Sequence, residues 1–455
     1  MAKNNEKNLI KVSTLYTSRS GIGKGATLHR RRYLMIRTLK LFKILFLVFF
    51  LHVSSDVFAM NGSELAGVGP ISRSMGGTGI ANPQDAITTL FTNPAGVITC
   101  TQFSTPEVDV GGSLLAPKTK ASITVNSTSV GAYAASKVYP LPATAISVPF
   151  NNNWNYGIGM AAVAGFGADF RNTTLDQSSF YNLGSKGKYP LMASNFSQLQ
   201  ILKVASFISY HPDDKLSIGI APHIDYGSLD LGLGTSSNYG IGAQVGGIYK
   251  FNEIVSLGVT YTTAQTINYK DVYDPAGDGI KENLKLDLPQ KIGIGIALKP
   301  FGDNFLIETD IKWLNWANAK GYKEFDWGNQ WVYSVGAQYK PIQKLALRVG
   351  YNYGKNPLKS HDNFDGSTST NVQGNYLSTY YYEMMRVIGA PLVEEQHLFF
   401  GVGYDLTKNF VLNAGYGHDF NKTLTENGTN FLGQPVSIMS TVGGDSVEFN
   451  FVWRF

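Results

Sequence analysis

The chain has 455 residues, 43% of them apolar and only 16% charged, with 49 Gly, 25 Tyr and 26 Phe. A mean hydropathy of −0.08 excludes a helical membrane protein, and the Gly and aromatic content suits strands with close backbone contacts and aromatic girdles. The formal charge of +5 is misleading: residues 1–59 hold 11 of the 38 basic and 2 of the 33 acidic residues, leaving 27 against 31 for the rest. That mildly acidic remainder takes away the electrostatic support for a nucleic-acid partner. Cys100 is the only cysteine, which rules out an intrachain disulfide and a cysteine metal site.

In residues 35–59, Arg37, Lys40 and Lys43 precede the apolar run 44–51, and Val57-Phe58-Ala59 follows. This pattern predicts a secretory signal peptide cleaved after Ala59, with Met35 as its start and residues 1–34 as an upstream extension. The run is too short to span a bilayer. From 60 to 102 the sequence lacks sustained alternation and is rich in small residues, so it needs a host to fill. The expected host is residues 103–455.

The host reads as strands. In the last ten residues Val447, Phe449, Phe451, Trp453 and Phe455 share one face, while Ser446, Glu448, Asn450, Val452 and Arg454 share the other. Alternation and turn signals predict fourteen strands, at about 105–117, 139–150, 154–166, 197–210, 215–231, 238–251, 254–264, 289–299, 304–316, 330–340, 343–354, 396–405, 409–420 and 445–455. Tight turns at 151–153, 211–214, 252–253, 300–303, 341–342 and 407–408 alternate with long stretches at 118–138, 167–196, 265–288, 317–329, 355–395 and 421–444; only 232–237 is short where a long one is due. The fold class expected is all-β: a 14-stranded antiparallel transmembrane β-barrel with an N-terminal hatch plugging the lumen.

Several segments also resemble a known family. Gly-Pro-Ile-Ser-Arg-Ser-Met-Gly-Gly-Thr-Gly-Ile-Ala at 69–81, then Asp85 and Asn93-Pro94-Ala95-Gly96, resembles the hatch of the FadL/TodX family of outer-membrane transporters for hydrophobic molecules. Asp287-Leu288-Pro289-Gln290-Lys291, Arg348-Val349-Gly350-Tyr351, and His397 ahead of Gly401-Val402-Gly403-Tyr404 resemble its later strands. The resemblance implies passive uptake, with long-chain fatty acids first and aromatic hydrocarbons second. It also implies gating by Asn93, Pro94, Ala95 and Gly96, and a side exit at an inward kink of the third strand. That strand carries Gly157, Gly159, Gly165 and Gly167; close packing of wall against hatch would account for the same glycines.

Glu308, Asp310, Lys312, Lys344, Arg348, Glu448 and Arg454 fall on the inward register. They are expected to form a network pinning the hatch, or to hold a carboxylate headgroup, for which Lys312 and Arg348 are candidates with Arg171 and Arg386 from the loops. His211 and His361 read as solvated loop residues, His223 as a lumen hydrogen-bonder and His418 as a rim residue. The long loops 167–196 and 355–395 are unusually apolar, and either receive greasy substrates or pack together as a lid. No enzyme, metal or cofactor is expected. The expected partners are a hydrophobic ligand, outer-membrane lipids with lipopolysaccharide, and barrel-assembly machinery engaging the C-terminal strand that ends in Phe455. The expected location is the outer membrane of a Gram-negative bacterium, with a surface adhesin or structural barrel as the rival.

Overall fold

The computed structural model describes residues 60–99, 105–135, 137–176, 196–275 and 279–455. The expected signal segment, its cleavage site, the 102/103 boundary and Cys100 lie outside them. Fourteen antiparallel strands close into one cylinder: β1 (Glu107–Val125), β2 (Tyr139–Pro149), β3 (Trp154–Asp169), β4 (Phe196–Tyr210), β5 (Leu216–Asp230), β6 (Thr235–Lys250), β7 (Val255–Thr262), β8 (Lys291–Leu298), β9 (Phe305–Leu314), β10 (Gln330–Ile342), β11 (Leu345–Gly354), β12 (Gln396–Asp405), β13 (Phe410–Thr429) and β14 (Pro435–Arg454). Each pairs with its sequence neighbour, and β1 pairs with β14 from Glu107↔Arg454 to Val125↔Val436. Closure leaves no sheet edge for aggregation, which a membrane wall requires.

The alternation maps onto the wall. Phe449, Phe451 and Trp453 are 52%, 49% and 53% exposed, whereas Glu448 and Asn450 between them are buried. Ile292, Ile294, Ile296 and Leu298 of β8 and Leu347 of β11 also face outward. Aromatics collect toward the tight-turn end, where Trp154 meets Tyr210 at 4.6 Å and Trp453 meets Phe455 at 5.1 Å between ring centroids. The tight turns are closed by side-chain oxygens. Asn151 Oδ1 accepts from Asn153 N and Trp154 N at 2.8 and 3.1 Å, and Asp213 Oδ1 accepts from Lys215 N and Leu216 N at 2.8 and 2.9 Å.

Two expectations about the connections fail. Of the expected loop 118–138, residues 118–125 continue β1 and Thr128–Tyr133 folds back on it as a further strand. Most of the expected loop 421–444 is strand: β13 and β14 each run 20 residues and turn only at residues 430–434. A strand that long rises about 65 Å along its axis, more than an apolar band of about 25 Å requires even with tilt. Above that band the outer face meets water. Thr423, Thr425 and Asn427 therefore replace apolar residues while the ladder continues, and the alternation that marks a membrane strand disappears. The loop end also carries two hairpins, Gln265–Tyr273 with Glu282–Leu288 and Ser369–Val372 with Asn375–Ser378, and the helix α3 (Thr379–Met384) continuing into a wide turn at Met385–Gly389.

Because the outward face of β8 lies against acyl chains, Ile294→Arg near the middle of its apolar row is expected to cost about 2–4 kcal/mol in folding equilibria measured in lipid vesicles. An unchanged stability would mean that this face is not in lipid.

Candidate functional site

The bore is filled by residues 60–99, which carry only two short helices, α1 (Pro70–Ser74) and α2 (Ala86–Phe91), and a single 3₁₀ turn. So little regular structure leaves many backbone N–H groups without partners, and in a buried position each needs one. The wall supplies them. Glu308 Oε1 accepts from Ala81 N and Asn82 N at 2.7 and 2.9 Å, and Asp310 Oδ2 accepts from Gly79 N and Ile80 N at 3.0 and 3.1 Å. At the start of α2, Glu107 Oε1 accepts from Ala86 N at 3.1 Å and Asp109 Oδ2 from Ile87 N at 3.2 Å. Arg73 of the hatch returns the favour to the wall, donating to Glu448 at 2.7 Å and Ser446 at 3.1 Å.

Asn93-Pro94-Ala95-Gly96 forms a turn wedged against β5, β6 and β7. Asn93 is fully buried; its Nδ2 donates to Ile80 O at 2.7 Å and its Oδ1 accepts from Ala95 N at 3.0 Å. The fit depends on absent side chains in the wall, since a Cβ at Gly246 would come 1.9 Å from Asn93 Oδ1 and one at Gly219 would come 2.3 Å from Pro94 O.

The third strand differs from the rest of the wall. Its pairing with β2 ends at Ala143↔Ala161, a bulge at 162–164 interrupts its pairing with β4, and residues 162–169 have no partner in β2. The hatch takes that place: Leu65 N donates to Val163 O at 3.1 Å, Gly165 N donates to Ser63 O at 2.9 Å, and Glu64 bridges to Ala164. Residues 63–65 thus form a short strand against a freed edge. Beside this seam lies a mostly apolar cavity of about 390 Å³. Inward residues such as Leu65, Leu199 and Ile201 line it together with outward ones such as Pro140, Leu202 and Tyr226. The cavity therefore reaches from the lumen to the membrane face. The four third-strand glycines divide between two environments. Gly157 and Gly159 pack against Phe207 and the hatch residue Leu90, whereas Gly165 and Gly167 line the cavity.

The loop end is capped by packed apolar residues. Leu377, Tyr380, Tyr382, Met384, Met385, Val387 and Ile388 are all buried in one cluster, so these side chains form a lid, while residues 180–191 lie outside the described segments. Beneath the lid is a charge cluster. Arg386 is buried and donates to Glu383 and, at 3.0 Å, to Glu426. His361 joins Glu383 at 2.7 Å and Asp326 at 3.0 Å, which corrects its reading as a solvated loop residue. The contact with Glu383 raises the His361 pKa above its ordinary 6.5, aided by Asp326 and opposed by burial. Burial works against ionisation of Glu383, but the contacts with His361 and Arg386 outweigh it and hold its carboxyl below the ordinary range. No sequence signal predicted this cluster, because its members are distant in the chain.

The four headgroup candidates are not brought together. Lys312 donates to the hatch carbonyl Gly77 O at 2.7 Å. Arg348 donates to Gln338 and Asn413 at 2.7 and 2.9 Å beside a separate polar cavity toward the tight-turn end. Arg171 forks onto Asp169 at 2.8 and 2.7 Å, and Arg386 is engaged as described. His223 does face the lumen, 3.7 Å from Asp225, and His418 pairs with Asp445 at 2.8 Å. Glu394, buried at the cavity margin, was missed.

A closed fourteen-stranded cylinder with a clamped hatch and a seam in its wall defines a plugged membrane barrel. The family profile described as outer membrane protein transport protein (OMPP1/FadL/TodX) matches residues 231–364, which span β6 to β11, and over that stretch the chain is similar to the family. Outer membrane protein P1 of Haemophilus influenzae is 25% identical over 141 residues, 27% of this chain and 30% of that one, so the match spans under a third of that relative. Among solved structures, the toluene transporter TodX of P. putida superposes with a TM-score of 0.61 at 17% identity, covering 86% of this chain and 99% of TodX. A FadL homologue of Pseudomonas aeruginosa gives 0.63 at 14% identity, covering 87% and 100%.

Replacing Glu308 and Asp310 together by Ala leaves four hatch amides without acceptors. The expected result is a loss of roughly 3 kcal/mol or more of hatch docking, read as faster hydrogen exchange at residues 79–82 in a barrel that still assembles; unchanged protection would refute the clamp. For the lid, the raised His361 pKa means that its contribution is complete below pH 6.5 and is lost as pH rises through the folded-state value. Protection of residues 379–389, corrected for intrinsic exchange, is therefore expected to fall on going from pH 6 to pH 9 by on the order of 1 kcal/mol. His361→Ala should reduce that dependence to the part left by Glu426, whose burial raises its pKa to about 7 in the same cluster.

Proposed function

We propose that this protein is a passive uptake channel that passes hydrophobic molecules from its outer loops into the cavity and sideways through the β2–β3 seam into the bilayer. The observation that carries this reading is the cavity lined from both faces of the wall beside a strand edge held by hatch rather than by β2. An apolar solute gains little from an aqueous pore but gains favourable contact along such a path. In this route Gly165 and Gly167 keep the exit wide, residues 63–65 act as its shutter, and Asn93-Pro94-Ala95-Gly96 anchors the hatch while the shutter moves. Uncharged compounds are the preferred cargo: no Lys or Arg lines the cavity among the described residues, and TodX, a similar fold, is a toluene transporter.

Long-chain fatty acids are the second reading. A smaller cavity of about 90 Å³ shares Leu65 with the large one and is lined by Lys203, Lys291 and Lys312. A carboxylate held there would leave its chain in the larger space; Arg348, Arg171 and Arg386 are more remote candidates. A purely adhesive or structural barrel has no use for a luminal cavity that opens to lipid. Lipids and lipopolysaccharide around the wall, and assembly machinery reading the Phe455 end, complete the proposed partners.

Gly167→Leu places atoms where even a Cβ would lie 2.6 Å from the Tyr139 hydroxyl. Uptake of labelled toluene into cells lacking the native gene is expected to drop several-fold, with assembly intact by heat-shifted gel mobility. Unchanged uptake would exclude the seam as the route. The same cells supplied with oleate, with and without Lys312→Ala, separate the two cargo classes.

A further inference from the structure

Among the described polar residues lining the large cavity, Glu394 is the one with a buried side-chain oxygen that has no hydrogen-bond partner, and the channel reading does not use it. Glu394 follows the lid at residues 391–394, lines the cavity, and is only 6% exposed. Its Oε2 has no hydrogen-bond partner among the described residues. Its neighbours are otherwise engaged: Asp419, also on the lining, pairs with His397 Nδ1, and Glu395 pairs with Lys422 at 2.8 Å and accepts from Asn356 N at 3.0 Å. A buried carboxyl with no cation beside it, whose backbone N–H bond is outweighed by burial, is costly as an anion. Burial, reinforced by the nearby Asp419, raises its pKa to about 8. Near neutral pH it therefore keeps its proton and offers one O–H donor to a space otherwise walled mainly by apolar atoms.

Resting on the uptake reading above, we propose that Glu394, in its carboxylic acid form, selects the cargo by donating a hydrogen bond to a single acceptor oxygen on an uncharged, otherwise apolar ligand such as a ketone, ester or alcohol. The geometry follows the usual division in ligand pockets, where apolar walls supply most of the contact and a few polar groups fix orientation. A hydrocarbon of the same shape fills the walls but leaves the donor unmatched. A carboxylate would accept the bond but meets Asp419 and no cation. An amine would require Glu394 to ionise in a buried site.

The test compares three matched probes, acetophenone, ethylbenzene and 1-phenylethylamine, by equilibrium dialysis against the full protein in phosphatidylcholine nanodiscs, corrected with protein-free discs. Wild type is expected to bind acetophenone about tenfold more tightly than ethylbenzene, with the amine weakest. Glu394→Leu should bring the ketone and hydrocarbon within about twofold of each other, while Glu394→Gln, whose amide still donates, should keep most of the preference. Equal binding of the two neutral probes by wild type overturns the role of Glu394 while leaving the channel reading intact, and this comparison needs no variant to fold. A preference surviving in Glu394→Leu, or tightest binding of the amine, also overturns it. Failure of wild type to bind any probe instead removes the hydrophobic-ligand reading on which the proposal rests.

Discussion

The structure depends on carboxylates of the wall accepting hydrogen bonds from backbone amides of the hatch. A cylinder of fourteen strands is too wide for its own side chains to fill, and its filling here has little secondary structure with which to satisfy itself. Glu107, Asp109, Glu308 and Asp310 all point inward and all terminate on hatch N–H groups. An isolated buried carboxylate would destabilise the wall, and an unpaired amide would destabilise the hatch; joined, each offsets part of the other's penalty. The Arg73–Glu448 pair ties the hatch to β14, next to β1, with the reverse polarity.

That clamp leaves one region weak. Most of the cylinder is joined strand to strand by ladders, but the β2-facing edge of β3 above Ala161 is held by two backbone bonds from residues 63–65 and one from Ala135 N to Asp169 O. Strand addition to a free edge is an interaction that forms and breaks without disturbing the rest of a sheet. The weakest join in the wall therefore coincides with the place where the luminal cavity reaches the lipid face. With the lid packed above and the hatch anchored at Asn93, movement of a few residues is enough to change access.

The wall was legible in the sequence because lipid imposes a strict period of two: β8, β9, β11 and the final strand show their outward and inward faces directly. Legibility ended where the solvent changed. The upper halves of β13 and β14 stand in water on their outer side, so Thr423, Thr425 and Asn427 hide a ladder that continues past a bulge between Asp419 and Lys422. Inward charges could be assigned to the lumen but not to a task. Glu308 and Asp310 are clamps, Arg348 lies apart from the hatch amides, and the His361–Glu383–Arg386 cluster is assembled from segments that no local pattern connects. The glycines of β3 were visible as unusual, yet their division into packed and cavity-lining pairs depends on a bulge, which composition does not encode. Glu394 stood beside Glu395 as one of two ordinary loop acids; both are buried, and what separates them is that Glu395 pairs with Lys422 while Glu394 Oε2 has no partner among the described residues.

The central claim is that residues 63–65 shut the seam. Glu64 and Ala164 face each other across the short antiparallel pairing, the arrangement in which opposed side chains approach most closely. Glu64→Cys with Ala164→Cys, in a background with Cys100→Ser, allows the shutter to be locked by oxidation and released by reduction. Uptake of labelled toluene into cells carrying this variant should stop when the pair is oxidised and return when it is reduced. Full uptake through the oxidised protein would contradict the account.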